Sequence, residues 1–163
     1  MMKSKTAKWF ETKVRYEKTM DDGMQKKVTE QYTVDALSFT EAENSIIEEM
    51  SVYISGEFEV TDIKMASYKE VFFSDHEKDD RWFKAKLQFI TIDEKTEKEK
   101  RTNNYFLVQA ATLPQAVKYV EEVMGKTMID YAIASIAETQ IMDVYEHQVA
   151  AVEKKDDKPE YEE

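Results

Sequence analysis

The stretch Lys8-Trp9-Phe10-Glu11-Thr12-Lys13-Val14-Arg15-Tyr16 returns once, as Arg81-Trp82-Phe83-Lys84-Ala85-Lys86-Leu87-Gln88-Phe89. In each copy a cation precedes Trp-Phe, and apolar and charged residues then alternate. Trp9 matches Trp82 at an offset of 73, whereas Ala36 and Ala110, Ser38 and Thr112, Ala42 and Ala116, and Met50 and Met124 match at 74. One residue added to the second hairpin loop accounts for the change. Matched residue types at a steady offset, in matched predicted elements, point to a ββαβ unit used twice. A half of about 70 residues makes a marginal core by itself. The expectation is therefore one pseudo-symmetric α+β domain over residues 1–147, with half-repeats 8–73 and 81–147. Its strands would form a mainly antiparallel sheet with both helices on one face.

The local patterns specify the elements. Residues 8–16 have the two-residue period of a half-buried strand, with Phe10, Val14 and Tyr16 on one side and Trp9, Lys13 and Arg15 on the other. Met20-Asp21-Asp22-Gly23 supplies a turn, and alternation resumes from Lys27 to Val34 to complete a β-hairpin. Ser38-Phe39-Thr40-Glu41 reads as a capping box ahead of the apolar stripe Phe39, Ala42, Ile46, Met50 and Tyr53, a helix that ends before Gly56. One long or bent strand is predicted from Glu57 to about Phe73. The second half repeats the order: strand 81–90, charged loop 91–100, strand 101–110, a helix opened by Thr112-Leu113-Pro114-Gln115, and a strand-like stretch over 128–145. Residues 148–163, with Lys154-Lys155-Asp156-Asp157 and Glu160-Tyr161-Glu162-Glu163, read as a disordered acidic tail.

Composition restricts the function classes. The chain has no Cys, three Gly and two Pro in 163 residues, which removes disulfides and thiolate metal sites and leaves little room for glycine-rich phosphate loops. The basic start has no apolar segment behind it, so no secretory signal is expected, and no apolar run is long enough to span a bilayer. A cytoplasmic protein is the expectation. The net charge of −11 disfavours indiscriminate attraction to nucleic acid or to anionic membrane. Residues 3–18 nevertheless hold six cations against Glu11 and Glu17, and residues 81–101 hold seven against four acids. A local basic face on an acidic protein is compatible with that distribution.

No Ser/His/Asp grouping, Walker loop or zinc signature is present, so no catalytic residue, metal or cofactor is assigned and the chain is not read as an enzyme. The loop Asp75-His76-Glu77-Lys78-Asp79-Asp80 matches no EF-hand spacing and reads as a solvated acidic loop. The informative positions are Trp9 and Trp82. Alternation puts each on the side of its strand that carries Lys13 and Arg15, or Lys84 and Lys86. An indole among cations is the arrangement that stacks unpaired bases while the cations meet phosphates. The bland alternative is that the rings cover a sheet edge, pack under a loop or join a dimer contact.

The runs Trp9-Phe10-Glu11, Lys26-Lys27-Val28-Thr29-Glu30 and Val34-Asp35-Ala36-Leu37-Ser38-Phe39-Thr40-Glu41-Ala42-Glu43 resemble an uncharacterised family of Bacteroides and Bacteroides-phage proteins. Gly56-Glu57-Phe58 and Ser135-Ile136-Ala137-Glu138-Thr139 do too, so that the likeness spans about residues 8–146. The family is catalogued as a domain of unknown function. The resemblance implies a phage or mobile-element setting and transfers no activity or site residue. The leading expectation is thus non-catalytic binding of single-stranded nucleic acid, with Trp9 and Trp82 stacking bases and Lys13, Arg15, Lys84 and Lys86 meeting phosphates. The acidic tail would recruit a protein partner. The rival expectation is a protein-interaction or assembly module with no nucleic-acid role, the same Trp face serving a homo-oligomer or a host factor.

Overall fold

The computed structural model describes residues 2–147, and the predicted acidic tail lies outside them. The strands are β1 (Lys3–Thr6), β2 (Trp9–Thr19), β3 (Gln25–Asp35), β4 (Phe58–Met65), β5 (Glu70–Phe73), β6 (Arg81–Ile92), β7 (Glu99–Ala110), β8 (Tyr131–Glu138) and β9 (Ile141–Tyr145). The helices are α1 (Phe39–Tyr53) and α2 (Leu113–Met124). The fold is α+β with mostly antiparallel pairing. Among the described residues, no helix is long and apolar enough to cross a membrane. The expected single sheet is two sheets, each with its own helix, and the chain divides into two compact units. One unit comprises Met1–Thr6 and Ser67–Gln140; the other comprises Ala7–Ala66 and the described residues from Ile141.

In the second of these units, the Ala7–Ala66 unit, the sheet order is β4-β2-β3-β9. The β2–β3 hairpin pairs Trp9 with Asp35 through to Thr19 with Gln25. Its turn closes by the Gly23 amide donating to the Met20 carbonyl at 2.9 Å, with Gly23 at φ 85°, where a side chain would be strained. Ser38 caps α1, its hydroxyl accepting from the Glu41 amide at 3.2 Å. The apolar stripe Ala42, Ile46 and Met50 then packs on Phe10, Val14, Tyr16, Tyr32 and Val34.

In the Ser67–Gln140 unit the order is β1-β5-β7-β6-β8. The β6–β7 hairpin pairs Arg81 with Ala110 through to Ile92 with Glu99, so the predicted charged loop shrinks to residues 93–98. Thr112 caps α2 by accepting from the Gln115 amide at 3.3 Å, with Pro114 in the first turn. Ala116, Val120 and Met124 meet Phe83, Ala85, Leu87, Phe106 and Val108.

The element order from β2 to β5 is the same as that from β6 to β9. The two long strands predicted over 57–73 and 128–145 are each broken in two, however. β4 belongs to one sheet and β5 to the other; β8 and β9 divide the same way. Apolar periodicity runs on through such a break, so it leaves no mark on the pattern. β5 and β9 each lie parallel to the returning strand of a hairpin, β7 and β3 respectively. β1 had no apolar signal: it is a lysine-bearing edge strand beside β5.

Candidate functional site

Each predicted site residue can be placed. Trp9 is 1 % exposed and Trp82 is 2 % exposed, so the expected open indoles are core residues. Trp82 meets the Phe73 ring edge-on, centroids 5.7 Å apart. Its carbonyl accepts from both the amide and the hydroxyl of Thr139, each at 2.9 Å. The Trp9 carbonyl accepts from the Ala66 amide at 2.9 Å. Alternation put both rings on the side of the strand away from the helix, as observed. It could not say that this side is buried there. Leu107 and Val71 lie on the same side as Trp82, and Thr33 and Asp35 on the same side as Trp9; all four are fully buried.

The cations differ between units. Arg15 is exposed and its Nη2 lies 2.6 Å from Glu59 Oε1. Lys13 stands in register with Asp62 on β4, and Lys64 of β4 reaches Glu11 at 3.7 Å. That face is a lattice of matched charges. On the equivalent face of the other unit, Lys84 and Lys86 are half-buried and stand beside Ala137 and Ser135 of β8, which bring no carboxylate. The Lys84 ammonium sits 5.1 Å from the centroid of Tyr105. Arg101 Nε contacts Glu99 at 2.8 Å and its Nη1 donates to Gln88 at 3.2 Å.

Two further places were not anticipated from sequence. The first is a tyrosine and carboxylate cluster in the Ala7–Ala66 unit. Tyr16 and Tyr32 both donate to Oε1 of Glu30, at 3.1 and 2.8 Å, and Glu30 is 8 % exposed. Lys18 lies 3.7 Å from the other oxygen. Tyr145 stacks on Tyr32 with centroids 5.8 Å apart. Burial, reinforced by Glu30, raises the Tyr16 and Tyr32 hydroxyls well above the ordinary phenol value. Burial first, then Asp143 and Glu49, pushes Tyr145 up to about 12. Burial also raises Asp143, against the hydrogen bond from the Val144 amide. Beside it, His147 Nε2 lies 2.7 Å from Glu49 Oε2, close enough to pair but off the hydrogen-bonding direction. The His147 amide donates to buried Asp35 at 2.6 Å. Phenols held this firmly protonated act as donors and not as bases or nucleophiles, so the cluster orders a carboxylate. Its signal was present: Glu30 shares the phase of Val28, Tyr32 and Val34, an acid on an apolar face.

The second place is in the Ser67–Gln140 unit. β5 accompanies β7 only from Phe106 to Val108. Along that flank, β7 from Glu99 to Tyr105 has no neighbouring strand among the described residues. Beside this open flank lies a cleft of about 500 Å³ lined both by apolar Phe89, Phe106, Val123, Met124 and Ile129 and by polar Ser67, Lys69, Glu70, Asn104 and Thr127. The Asn104 amide donates to the Thr102 carbonyl at 3.2 Å.

The 75–80 loop is structural where it is buried. Asp79 accepts from Tyr119 at 2.6 Å and from the Ser74 hydroxyl, and it is 5 % exposed. Among the described residues no group of three or more His, Cys, Asp or Glu could hold a metal ion.

No curated protein and no solved structure matches the chain. A family model described as a domain of unknown function, DUF4494, matches residues 8–147, both units included, and the chain therefore belongs to the DUF4494 family.

Proposed function

We propose that the chain is a non-catalytic protein-interaction or assembly module. The observation that carries this reading is the open flank of β7 beside a cleft with a partly apolar lining. Backbone groups on an unpaired strand keep their hydrogen-bonding capacity, and an extended segment of another protein can satisfy them by joining the sheet. In this reading the module serves a phage or mobile element inside a bacterial cytoplasm, a setting supplied by the family resemblance.

Single-stranded nucleic acid is the second reading. Burial of both indoles removes the stacking platform it began from, and Arg15 is matched by Glu59. What still favours it is the Lys84, Lys86 and Tyr105 group, which no β8 carboxylate offsets.

One experiment separates them. A display library of random peptides is selected on the full chain, and amide hydrogen exchange is followed with an enriched peptide and, separately, with an unstructured oligonucleotide. The module reading expects enriched peptides to slow exchange over residues 99–105 and the oligonucleotide to change nothing. No enrichment would overturn it. Salt-sensitive oligonucleotide binding, lost in the Lys84→Glu, Lys86→Glu double variant, would put nucleic acid in its place.

A further inference from the structure

We infer that the open flank of β7 takes an extended peptide in which acidic and apolar residues alternate. The inference rests on the interaction-module reading and adds the chemistry of the ligand.

A strand laid along Glu99–Tyr105 would present its side chains alternately to the two sides of the sheet. Those sides differ in kind. Thr102, Asn104 and Phe106 of β7 share the α2 side, where the cleft floor is Phe89, Phe106, Val123 and Met124. Every second side chain of an added strand would therefore enter a cleft with room for an aromatic or branched aliphatic group against these apolar side chains, with Lys69, Glu70 and Thr127 also on its wall. The other side carries Arg101, Asn103 and Tyr105 on β7, with Ile90, Gln88 and Lys86 opposite them on β6 and Lys84 one pair further on, opposite Leu107. Glu99 is the one carboxylate on the β6 and β7 part of that side, and it is paired with Arg101. The intervening side chains would meet a net positive surface, which carboxylates complement.

The backbone is prepared for such a partner. β7 is already hydrogen-bonded to β6 along its whole length, so its residues are held extended before anything binds. Little ordering is left to be done on the protein side, which favours association.

The test uses the full chain and three capped hexapeptides: glutamate alternating with phenylalanine and valine, lysine alternating with the same apolar residues, and glutamate alternating with serine. Binding is measured by fluorescence anisotropy and located by amide hydrogen exchange. The glutamate–apolar peptide is expected to bind at least about tenfold more tightly than either control and to slow exchange over 99–105, tenfold being a modest free-energy difference. Two variants refine this. Lys84→Glu with Lys86→Glu should weaken that peptide about tenfold and improve the lysine peptide, a reversal no folding defect would produce. Asn104→Trp should fill the cleft and weaken all three, with thermal unfolding showing whether the chain remains folded. Equal binding of the three peptides, or protection elsewhere, would overturn the inference. If library-selected peptides of another pattern protect 99–105, the module reading stands and only the ligand chemistry falls. If no peptide protects these residues, both fall.

Discussion

Tyr16 and Phe89, Tyr32 and Phe106, Glu30 and Asn104, and Glu49 and Val123 occupy corresponding places in the two units, at the offsets of 73 and 74 that relate the halves. Around Tyr32 the exchange produces a carboxylate held by two phenols, with an ion-paired lysine outside it. Around Phe106 the same position borders a cleft of mixed apolar and polar lining beside an open strand. Within the same element order, one unit thus holds a buried polar cluster where the other holds an open cleft. Backbone topology alone does not dictate function. Under the interaction-module proposal, the side chains around the end of the parallel strand would set which unit takes a ligand.

The largest effects should come from the residues the two units treat alike. Trp9→Ala and Trp82→Ala are each expected to lose about 3–5 kcal/mol, the range for deleting a large buried aromatic side chain. Urea unfolding measures the loss, and tryptophan emission should be blue-shifted and resist aqueous quenchers in the parent chain. A loss below about 1 kcal/mol, with red-shifted emission, would return the indoles to the surface and reopen the stacking proposal.

This pair also shows how far the sequence could be read. Hairpins, turns and helix caps were legible because each is fixed by neighbours: Gly23 in its turn, Ser38 and Thr112 at helix starts. The apolar stripes were legible because a helix or strand period is local. Alternation correctly put Trp9 beside Lys13 and Trp82 beside Lys84. It fixes only the side of a strand, and whether that side meets water depends on segments far off in the chain. The breaks after Met65 and Glu138, and the parallel pairings of β5 and β9, were illegible for the same reason. The phase of Glu30 among Val28, Tyr32 and Val34 was a local clue to the cluster. An acid on an apolar face signals a buried partner before the partner can be named.

The polar pocket should show its own cost next. Tyr32→Phe leaves Glu30 with one phenol hydrogen bond, from Tyr16, beside its Lys18 ion pair, and is expected to destabilise by about 1–3 kcal/mol. The corresponding conservative change in the other unit, Phe106→Leu, leaves no polar group unpaired and should cost less. Equilibrium unfolding of both variants sharpens the contrast. Equal losses would mean that the phenol and carboxylate contacts contribute nothing beyond packing.

Alkaline pH tests the same contrast by linkage. The folded chain holds Tyr145 at about 12, above the ordinary 10.0, and raises Tyr16 and Tyr32 further. The unfolded chain therefore gives up these protons first, binds fewer protons above pH 10, and becomes relatively favoured as pH rises. The stabilising contribution is complete below the unfolded value and fades between about pH 10 and 12 for Tyr145. Phenolate absorbance should show these hydroxyls titrating late, together with loss of structure. Phe89 and Phe106 have no proton to lose, so Tyr16→Phe with Tyr32→Phe should flatten the alkaline limb while lowering stability at neutral pH.

The smallest expected effect concerns the matched charges beside β2. Arg15→Ala removes a close contact with Glu59, yet both side chains are about half-exposed or more, at 48 % and 63 %. Water and salt screen such pairs, and holding two long side chains together has an entropic cost, so the loss should stay under about 1 kcal/mol. Lys84→Ala removes a cation that stands over Tyr105 with no carboxylate from β8 alongside it. Its stability cost should be similarly small, but its effect on an acidic peptide should exceed that of Arg15→Ala. A charge already matched within its own sheet has little left to offer a ligand, whereas an unmatched one retains its attraction. Peptide titrations of the two variants in low and moderate salt decide this, and equal weakening by both would dissolve the electrostatic difference between the units.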